Sequence, residues 1–457
     1  MFRAVVLALL GIVVIGAVGL ILRWSDAPDP AHNVILISID TLRADHLSAC
    51  GYHRRTSPHL DAFARAGIVF ERMVNTGGGT LPVHMSMLTS LPPLVHDVWT
   101  DNRRRLDEER VTLAELLRAR GYRTAAFVDG GWMNAKFGFD QGFETYDDRG
   151  GGFAAILPKV RAWLEEHRSE RFFLFLHTYD VHSAYRKLPY DPPAPYKRLY
   201  ARDYTGAFTG CRVDLCASKL LDRINQQLQA GELSPDAVFE PEDLEYIIAL
   251  YDGGIRYVDD ELGRFFDFLR ELGLWKDNLL IVTSDHGEEF LEHGRLLHDQ
   301  AYEETARVPF FMKLPGPGIR GRRVETLVST LDVMPTVLDV VGIPGSDEIH
   351  GTSLLSFARG EAREDARVFI AAEKPKLRTP RWSFLLGLDR ARELYDLEAD
   401  PGERTNVTSQ HPELERRFAD ELEKTRASQQ RLRIALTKRA ELTPEELEAM
   451  KALGYLN

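Results

Sequence analysis

Asn33-Val34-Ile35-Leu36-Ile37-Ser38-Ile39-Asp40 is a nearly continuous β-branched and apolar run that ends in a carboxylate. A run of this kind reads as a strand buried on both faces of a parallel sheet. Asp40 then stands at the carboxyl end of the strand, where open α/β sheets gather their ligand-binding groups. Three later runs repeat the pattern. Thr124 to Val128 leaves through Asp129-Gly130-Gly131, and Phe172 to Leu176 empties into His177, Asp180 and His182. Leu279 to Thr283 runs straight into Ser284-Asp285-His286-Gly287-Glu288, with His293 and His298 further on. Helical patterns lie between them: Pro58 to Ala66, with Leu60, Phe63 and Ala64 on one side, Thr112 to Arg120, closed by Gly121, and Leu244 to Leu269. This alternation implies a doubly wound α/β sheet in which three strands end in polar residues on one edge.

Between the first two of these strands lies Asn75-Thr76-Gly77-Gly78-Gly79-Thr80-Leu81-Pro82-Val83-His84-Met85-Ser86-Met87-Leu88-Thr89-Ser90. A triple glycine runs into a threonine, and Pro82 follows where a helix begins. Thr80 is therefore predicted at a helix N-terminus. Backbone N–H groups and the macrodipole there favour negative charge, such as an anionic ester or a threonine alkoxide attacking it. His84 lies one turn on and projects beside Thr80. Taken alone, the same residues also describe an N-cap after a glycine turn.

With 457 residues the chain is long enough for one large core and a smaller domain. A net charge of -12 argues against nucleic acid as a partner, because phosphate backbones demand a basic surface. Ala4 to Leu22 carries no charge and approaches the roughly 20 apolar residues that span a bilayer. It is longer than a signal-peptide core of about 7 to 15 residues, and no Ala-x-Ala site follows it. Residues 1–24 thus read as an uncleaved membrane anchor in preference to a signal segment, with Arg3 on the cytoplasmic side. Everything after it is then expected outside the cytoplasm, in a periplasm or at a cell surface. Residues 25–32, rich in Pro, Asp and Ala, form a linker. Cys211 and Cys216 would close a small loop in an oxidising compartment and leave Cys50 over; buried free thiols fit nearly as well. Residues from about Leu188 to Pro241, rich in Pro, Tyr and polar side chains, read as an insertion over the sheet edge. Past Gly342 the pattern shifts to short strands, Arg367 to Ala372 and Arg381 to Leu386. Two helices follow, one with the apolar face Leu414, Phe418 and Leu422, the other opened by the capping box Thr443-Pro444-Glu445-Glu446.

Several segments together resemble the sulfatase family of the alkaline phosphatase superfamily. They are Asp40-Thr41-Leu42-Arg43-Ala44-Asp45, Thr56-Ser57-Pro58-His59-Leu60-Asp61, Thr80-Leu81-Pro82-Val83-His84, Ser284-Asp285-His286-Gly287-Glu288, and Glu393-Leu394-Tyr395-Asp396-Leu397 followed by Asp400-Pro401. Their order and spacing follow the family over nearly everything after the linker. The resemblance implies an alkaline-phosphatase-like α/β sandwich with a mostly parallel central sheet. Residues 33–345 would form the catalytic domain and 346–457 a smaller C-terminal α+β domain. It also implies a divalent metal ion held by Asp40, Asp285 and His286, with the Thr80 hydroxyl facing it as nucleophile. His84 takes the place of an arginine in true sulfatases. His182, and His298 where many members have lysine, would hold the anion and the leaving group.

Two departures shape the expected chemistry. True sulfatases carry a cysteine or serine at the position of Thr80 and oxidise it to formylglycine. A threonine cannot become that aldehyde, so its ester must be opened by water or another acceptor, which points to phosphoryl or phosphonyl chemistry. Thr41 stands where metal-rich members have a second aspartate. Two carboxylates and one imidazole suit one divalent ion, Zn, Mn or Ca; a second ion on Asp180, His182 and His298 is the less favoured arrangement. The expected activity is hydrolysis of a monoanionic ester of a small molecule, glycan or lipid, phosphodiester or phosphonate ahead of sulfate, through a covalent Thr80 intermediate. The alternative is a membrane-anchored transferase that moves a phosphoryl head group onto a glycan or lipid.

Overall fold

The computed structural model describes residues 32–452 apart from 78, 101–102, 184–187, 207, 209–217, 318, 346–347, 362–368, 372–374, 388–390 and 434–438. The apolar run Ala4 to Leu22 and the pair Cys211 and Cys216 lie outside the described residues, so the expected anchor and disulfide fall outside them as well. Among the described residues no helix is long and apolar enough to cross a membrane.

Strands β1 (Asn33–Ile39), β2 (Ile68–Val74), β3 (Arg123–Phe127), β4 (Thr145–Asp147), β5 (Phe172–Thr178), β6 (Asn278–Thr283), β9 (Arg307–Lys313) and β10 (Arg322–Ser329) form one sheet in the order β10-β2-β9-β6-β1-β5-β3-β4. The hairpin β7 (Glu289–Phe290) and β8 (Leu296–Leu297) stands apart from it. β1 pairs in parallel with both β5 and β6, whereas β9 runs antiparallel between β2 and β6. The α/β class with a mostly parallel sheet is therefore as the alternating pattern implied. β1 is buried on both faces because its two side-chain sets enter different cores. Ile35, Ile37 and Ile39 pack with the long helix Pro241–Glu271 on one side, and Val34 and Leu36 with the helix that begins at Thr80 on the other.

The helices that position the site are α1 (Pro58–Ala66), α2 (Thr80–Thr89), α3 (Gly152–His167), α4 (Ser218–Gln229) and α5 (Pro241–Glu271). Every residue of α2 is buried, which is unusual for a surface helix and holds its N-terminus rigidly. The described residues of the segment from Leu188 to Pro241, expected over the sheet edge, pack on α5 and the hairpin. Tyr190 packs on Tyr251 of α5 and on Phe290 of the hairpin, and Leu221 and Ile224 of α4 join the same core.

The C-terminal part forms a separate antiparallel sheet, β11 (Phe369–Ala371), β12 (Lys376–Arg378), β13 (Trp382–Leu386) and β14 (Arg392–Asp396). The helix α6 (Pro412–Arg431) lays Phe418, Ala419 and Leu422 on it. Lys376 reaches Glu303 Oε1 at 3.0 Å and Glu403 Oε1 at 3.2 Å, and Arg378 reaches the same Glu303, so buried ion pairs join this sheet to the larger part.

Candidate active site

Asp40, Thr80 and Asp285 meet because three adjacent elements end at one place. β1 delivers Asp40, β6 beside it delivers Asp285 and His286, and the start of α2 closes over both. Gly79 takes φ 78 to enter α2, a conformation that suits glycine, and Thr80 is the first helical residue. Thr41, directly after Asp40, is held at φ 58 by a bond from its N–H to Asp285 Oδ1 and by Tyr251 Oη donating to its carbonyl at 2.6 Å. A buried non-glycine residue in that region stores strain, which these two bonds hold in place. Gly287 is required by closeness: a Cβ there would lie 1.8 Å from the Glu304 carbonyl oxygen.

Thr80 Oγ donates to Asp40 Oδ2 at 3.0 Å and lies 3.4 Å from His286 Nε2. His177 Nε2 approaches the same Asp40 oxygen at 3.3 Å. The His286 Nδ1–H donates to the Gly287 carbonyl at 2.9 Å, which fixes the tautomer and turns the Nε2 lone pair toward Asp40 and Asp285. His84 Nδ1–H donates to the Thr80 carbonyl at 2.8 Å, and the Ser38 hydroxyl donates to His84 Nε2 at 2.8 Å. Burial pushes His84 below its usual value and so favours the neutral imidazole.

The donor set fits a divalent cation. Ligand atoms of Asp40, Asp285 and His286 all lie within 4.8 Å of one another. Asp40 Oδ1 and Asp285 Oδ2 are buried with no hydrogen-bond partner, a costly arrangement for carboxylates. Burial and the neighbouring Asp285 charge drive the Asp40 carboxyl well above its usual range. Burial also pushes Asp285 upward, but the imidazoles of His286, His84 and His177 outweigh it and hold that carboxyl low. Opposed shifts are what two like charges do in one dry pocket, and a dication between them removes the conflict.

His182 and His298 adjoin this group. The His298 ring centroid is 4.5 Å from that of His286 and 5.2 Å from that of His182. His298 Nδ1 meets Glu288 Oε1 at 3.1 Å, and His182 Nδ1–H donates to the Ser183 carbonyl at 2.9 Å. Burial pushes His182 down to about 3. The positions expected to hold the metal or act on the ester, Asp40, Thr80, His84, His182, Asp285, His286 and His298, therefore cluster at one place. Asp180 does not join them: it accepts from Phe153 N at 2.7 Å and Thr178 Oγ at 2.8 Å, capping α3. His293 also points elsewhere, bonded to Glu304 and stacked on Tyr302.

Other members of the site have weaker signatures in the sequence. His177 and Ser38 face each other across the β1–β5 register, one on Asp40 and the other on His84. Tyr179 sets its ring edge-on against both His177 and His182 and accepts from the Trp132 N–H at 3.2 Å. The available clue is alternation: two residues on a strand, Ser38 and Asp40 or His177 and Tyr179, share a face.

Comparison with known proteins agrees with this geometry. The chain is 32% identical over 196 residues to arylsulfatase K of Bos taurus, covering 38% of this chain and 36% of that one, about a third of the relative's length. It is 28% identical over 399 residues to the multifunctional alkaline phosphatase superfamily protein PehA of Trinickia caryophylli, covering 71% of this chain and 76% of that one. Its fold matches the phosphonate monoester hydrolase of Agrobacterium radiobacter with a TM-score of 0.70 at 23% identity, over 91% of this chain and 98% of the other. Residues 32–343, more than half of the chain, match the family model named Sulfatase, and the chain belongs to the sulfatase family.

Proposed function

We propose that the protein hydrolyses a monoanionic ester, a phosphodiester or phosphonate ahead of a sulfate ester, through a covalent intermediate on Thr80. The observation that carries this reading is the Thr80 hydroxyl, 3.0 Å from Asp40 Oδ2 and 3.4 Å from His286 Nε2, at the N-terminus of a fully buried helix. A hydroxyl placed only to cap a helix has no need of a carboxylate and an imidazole from two other strand ends.

Sulfatase-family enzymes use a divalent metal. In this chain Asp40, Asp285 and His286 would hold it, with the Thr80 oxygen facing it, and Zn, Mn or Ca suits the set. When bound, such an ion supplies positive charge for the anion and acidity for a hydroxyl placed against it. The remaining work falls to the residues. Thr80 Oγ passes its proton to Asp40 Oδ2 and attacks the ester in line, while the N–H groups at the start of α2 face the charge that develops. Glu288 holds His298 at Nδ1, and His298 Nε2 protonates the departing oxygen. Water then attacks the Thr80 ester and gives a proton to His298 Nε2, while Thr80 Oγ leaves with the proton held on Asp40 Oδ2. Burial keeps His84 and His182 in their neutral forms, so the pocket has less positive charge for a dianion and favours a singly charged group.

The apolar run Ala4 to Leu22 favours a second reading, in which this chemistry sits at a membrane outside the cytoplasm and a glycan or lipid alcohol replaces water as the acceptor. One experiment addresses both readings. The purified protein is assayed for bound metal and for cleavage of nitrophenyl sulfate against bis-nitrophenyl phosphate, with and without added alcohol. Faster turnover of the sulfate overturns the phosphodiester preference. Product diverted to the alcohol, in place of free phosphate monoester, selects the transferase.

A further inference from the structure

The hairpin β7–β8 carries His298 into the pocket, and its geometry is expensive. Leu291 and Leu297 both adopt positive φ, 68 and 69, although neither is glycine, and Leu297 directly precedes His298. A two-stranded hairpin has little stability of its own, and such backbone persists only when its surroundings fix it. After His298, Glu289 Oε2 accepts from the Asp299 and Gln300 N–H groups at 2.7 and 3.2 Å. Before His298, the fixing group comes from far away in the chain. Asn225 Nδ2 donates to the Leu296 carbonyl at 2.7 Å, and the Leu296 N–H donates to Asn225 Oδ1 at 2.9 Å. The carbonyl of Asn225 itself accepts from Arg295 Nη1 at 2.8 Å. A side-chain amide carries the donor and acceptor of one peptide unit, so Asn225 stands in for one residue of a third strand on the hairpin.

We propose that Asn225, on α4, is a positioning residue for His298: its amide pairs with Leu296 and so sets the angle at which His298 meets the leaving oxygen. This rests on the reading of His298 as the acid. Asn225 is buried and both ends of its amide are used, so a substitution leaves a Leu296 backbone group without its partner and lets the strained Leu297 relax. His298 then swings relative to His286 and Glu288, while Thr80, Asp40 and Asp285, held by β1, β6 and α2, stay in place. The consequence is specific, because a displaced acid matters only where the leaving group needs a proton.

The test compares Asn225→Ala, Asn225→Asp, His298→Gln and the double variant Asn225→Ala/His298→Gln in the full chain. Substrates are aryl phosphodiesters from nitrophenyl to phenyl, and metal content and melting temperature are measured alongside. Asn225→Asp matches asparagine in size and keeps the acceptor for the Leu296 N–H, but sets a carboxylate oxygen against the Leu296 carbonyl in place of the donor, so it disturbs the same contact without opening a cavity. The expected loss in kcat is about threefold with nitrophenyl and grows to about thirtyfold or more with phenyl, parallel to His298→Gln. The double variant is expected to be no slower than His298→Gln. A loss uniform across the series in the Asn225 variants, beside a graded loss in His298→Gln, overturns the positioning role alone. A uniform loss in His298→Gln overturns the acid reading and the positioning role with it.

Discussion

Thr80 Oγ and Asp40 Oδ2, 40 residues apart in sequence, lie 3.0 Å apart at the carboxyl end of the central sheet. Their contact joins the first residue of α2 to the end of β1 and gives the hydroxyl a carboxylate as its hydrogen-bond acceptor. Thr80→Ala is expected to lower kcat/KM by on the order of 10³-fold or more with bound metal retained, and Thr80→Ser to keep a measurable fraction. Mass spectrometry of the protein quenched during turnover of a slow phosphodiester would find the added phosphoryl group on the peptide containing Thr80. Full turnover by Thr80→Ala rules out the covalent route.

Asp40 Oδ1 and Asp285 Oδ2 are buried with no hydrogen-bond partner, an arrangement that a cation between them would relieve. Chelation is expected to abolish activity and lower the melting temperature, and restored Zn, Mn or Ca to reverse both. An ion at about 100 times its dissociation constant contributes about 2.7 kcal/mol. Asp285→Asn removes half of the carboxylate pair, and its melting temperature should respond little to chelator or metal. A wild-type melting temperature indifferent to chelation means these atoms hold no ion.

The parts of this fold legible in the sequence are those where local pattern and tertiary role coincide. β1, β5 and β6 sit at the centre of the sheet and each carries an apolar run of four or more residues, so these runs announce them and the groups that follow them. β2, β9 and β10 do not read as strands. β2 carries Glu71-Arg72 with half-exposed side chains, β9 contains Pro309, and β10 opens on Arg322-Arg323, so polar faces interrupt the runs. In the site, Asp40, Thr80, Asp285 and His286 lie directly at element ends. The bond of Ser38 to His84 and of Glu288 to His298 depends on strand register and hairpin closure, which no local window contains. Asn225 lies further still from any motif, because its partner Leu296 is 71 residues away.

Lys376 is buried between Glu303 and Glu403, and Arg378 pairs with the same Glu303. Burial works against the Lys376 charge, yet the two carboxylates outweigh it and raise its pKa. Lys376→Met leaves Glu403 buried without its cation and is expected to destabilise the protein by about 3–5 kcal/mol, read from urea denaturation. Adding Glu403→Gln should recover part of that loss. A cost below about 1 kcal/mol would mean that the C-terminal sheet is held by its apolar contacts alone.

His293 supplies a pH test at the same junction. Its ring stacks on Tyr302 with centroids 3.5 Å apart, Nδ1 meets Glu304 Oε1 at 2.6 Å, and Nε2–H donates to the Glu403 carbonyl at 2.8 Å. Burial lowers its pKa, but the Glu304 carboxylate, the Glu403 carbonyl and the Glu403 charge outweigh burial and leave it raised. A histidine whose folded-state pKa exceeds its unfolded value, about 6.5, stabilises fully below that value. The contribution is lost as pH rises through the folded-state pKa. The stability gap between the wild type and His293→Gln, from chemical denaturation, is therefore expected to be wider at about pH 5.5 than at about pH 9. A gap that stays constant or widens with rising pH would show that His293 acts there through its stacked ring and not through its charge.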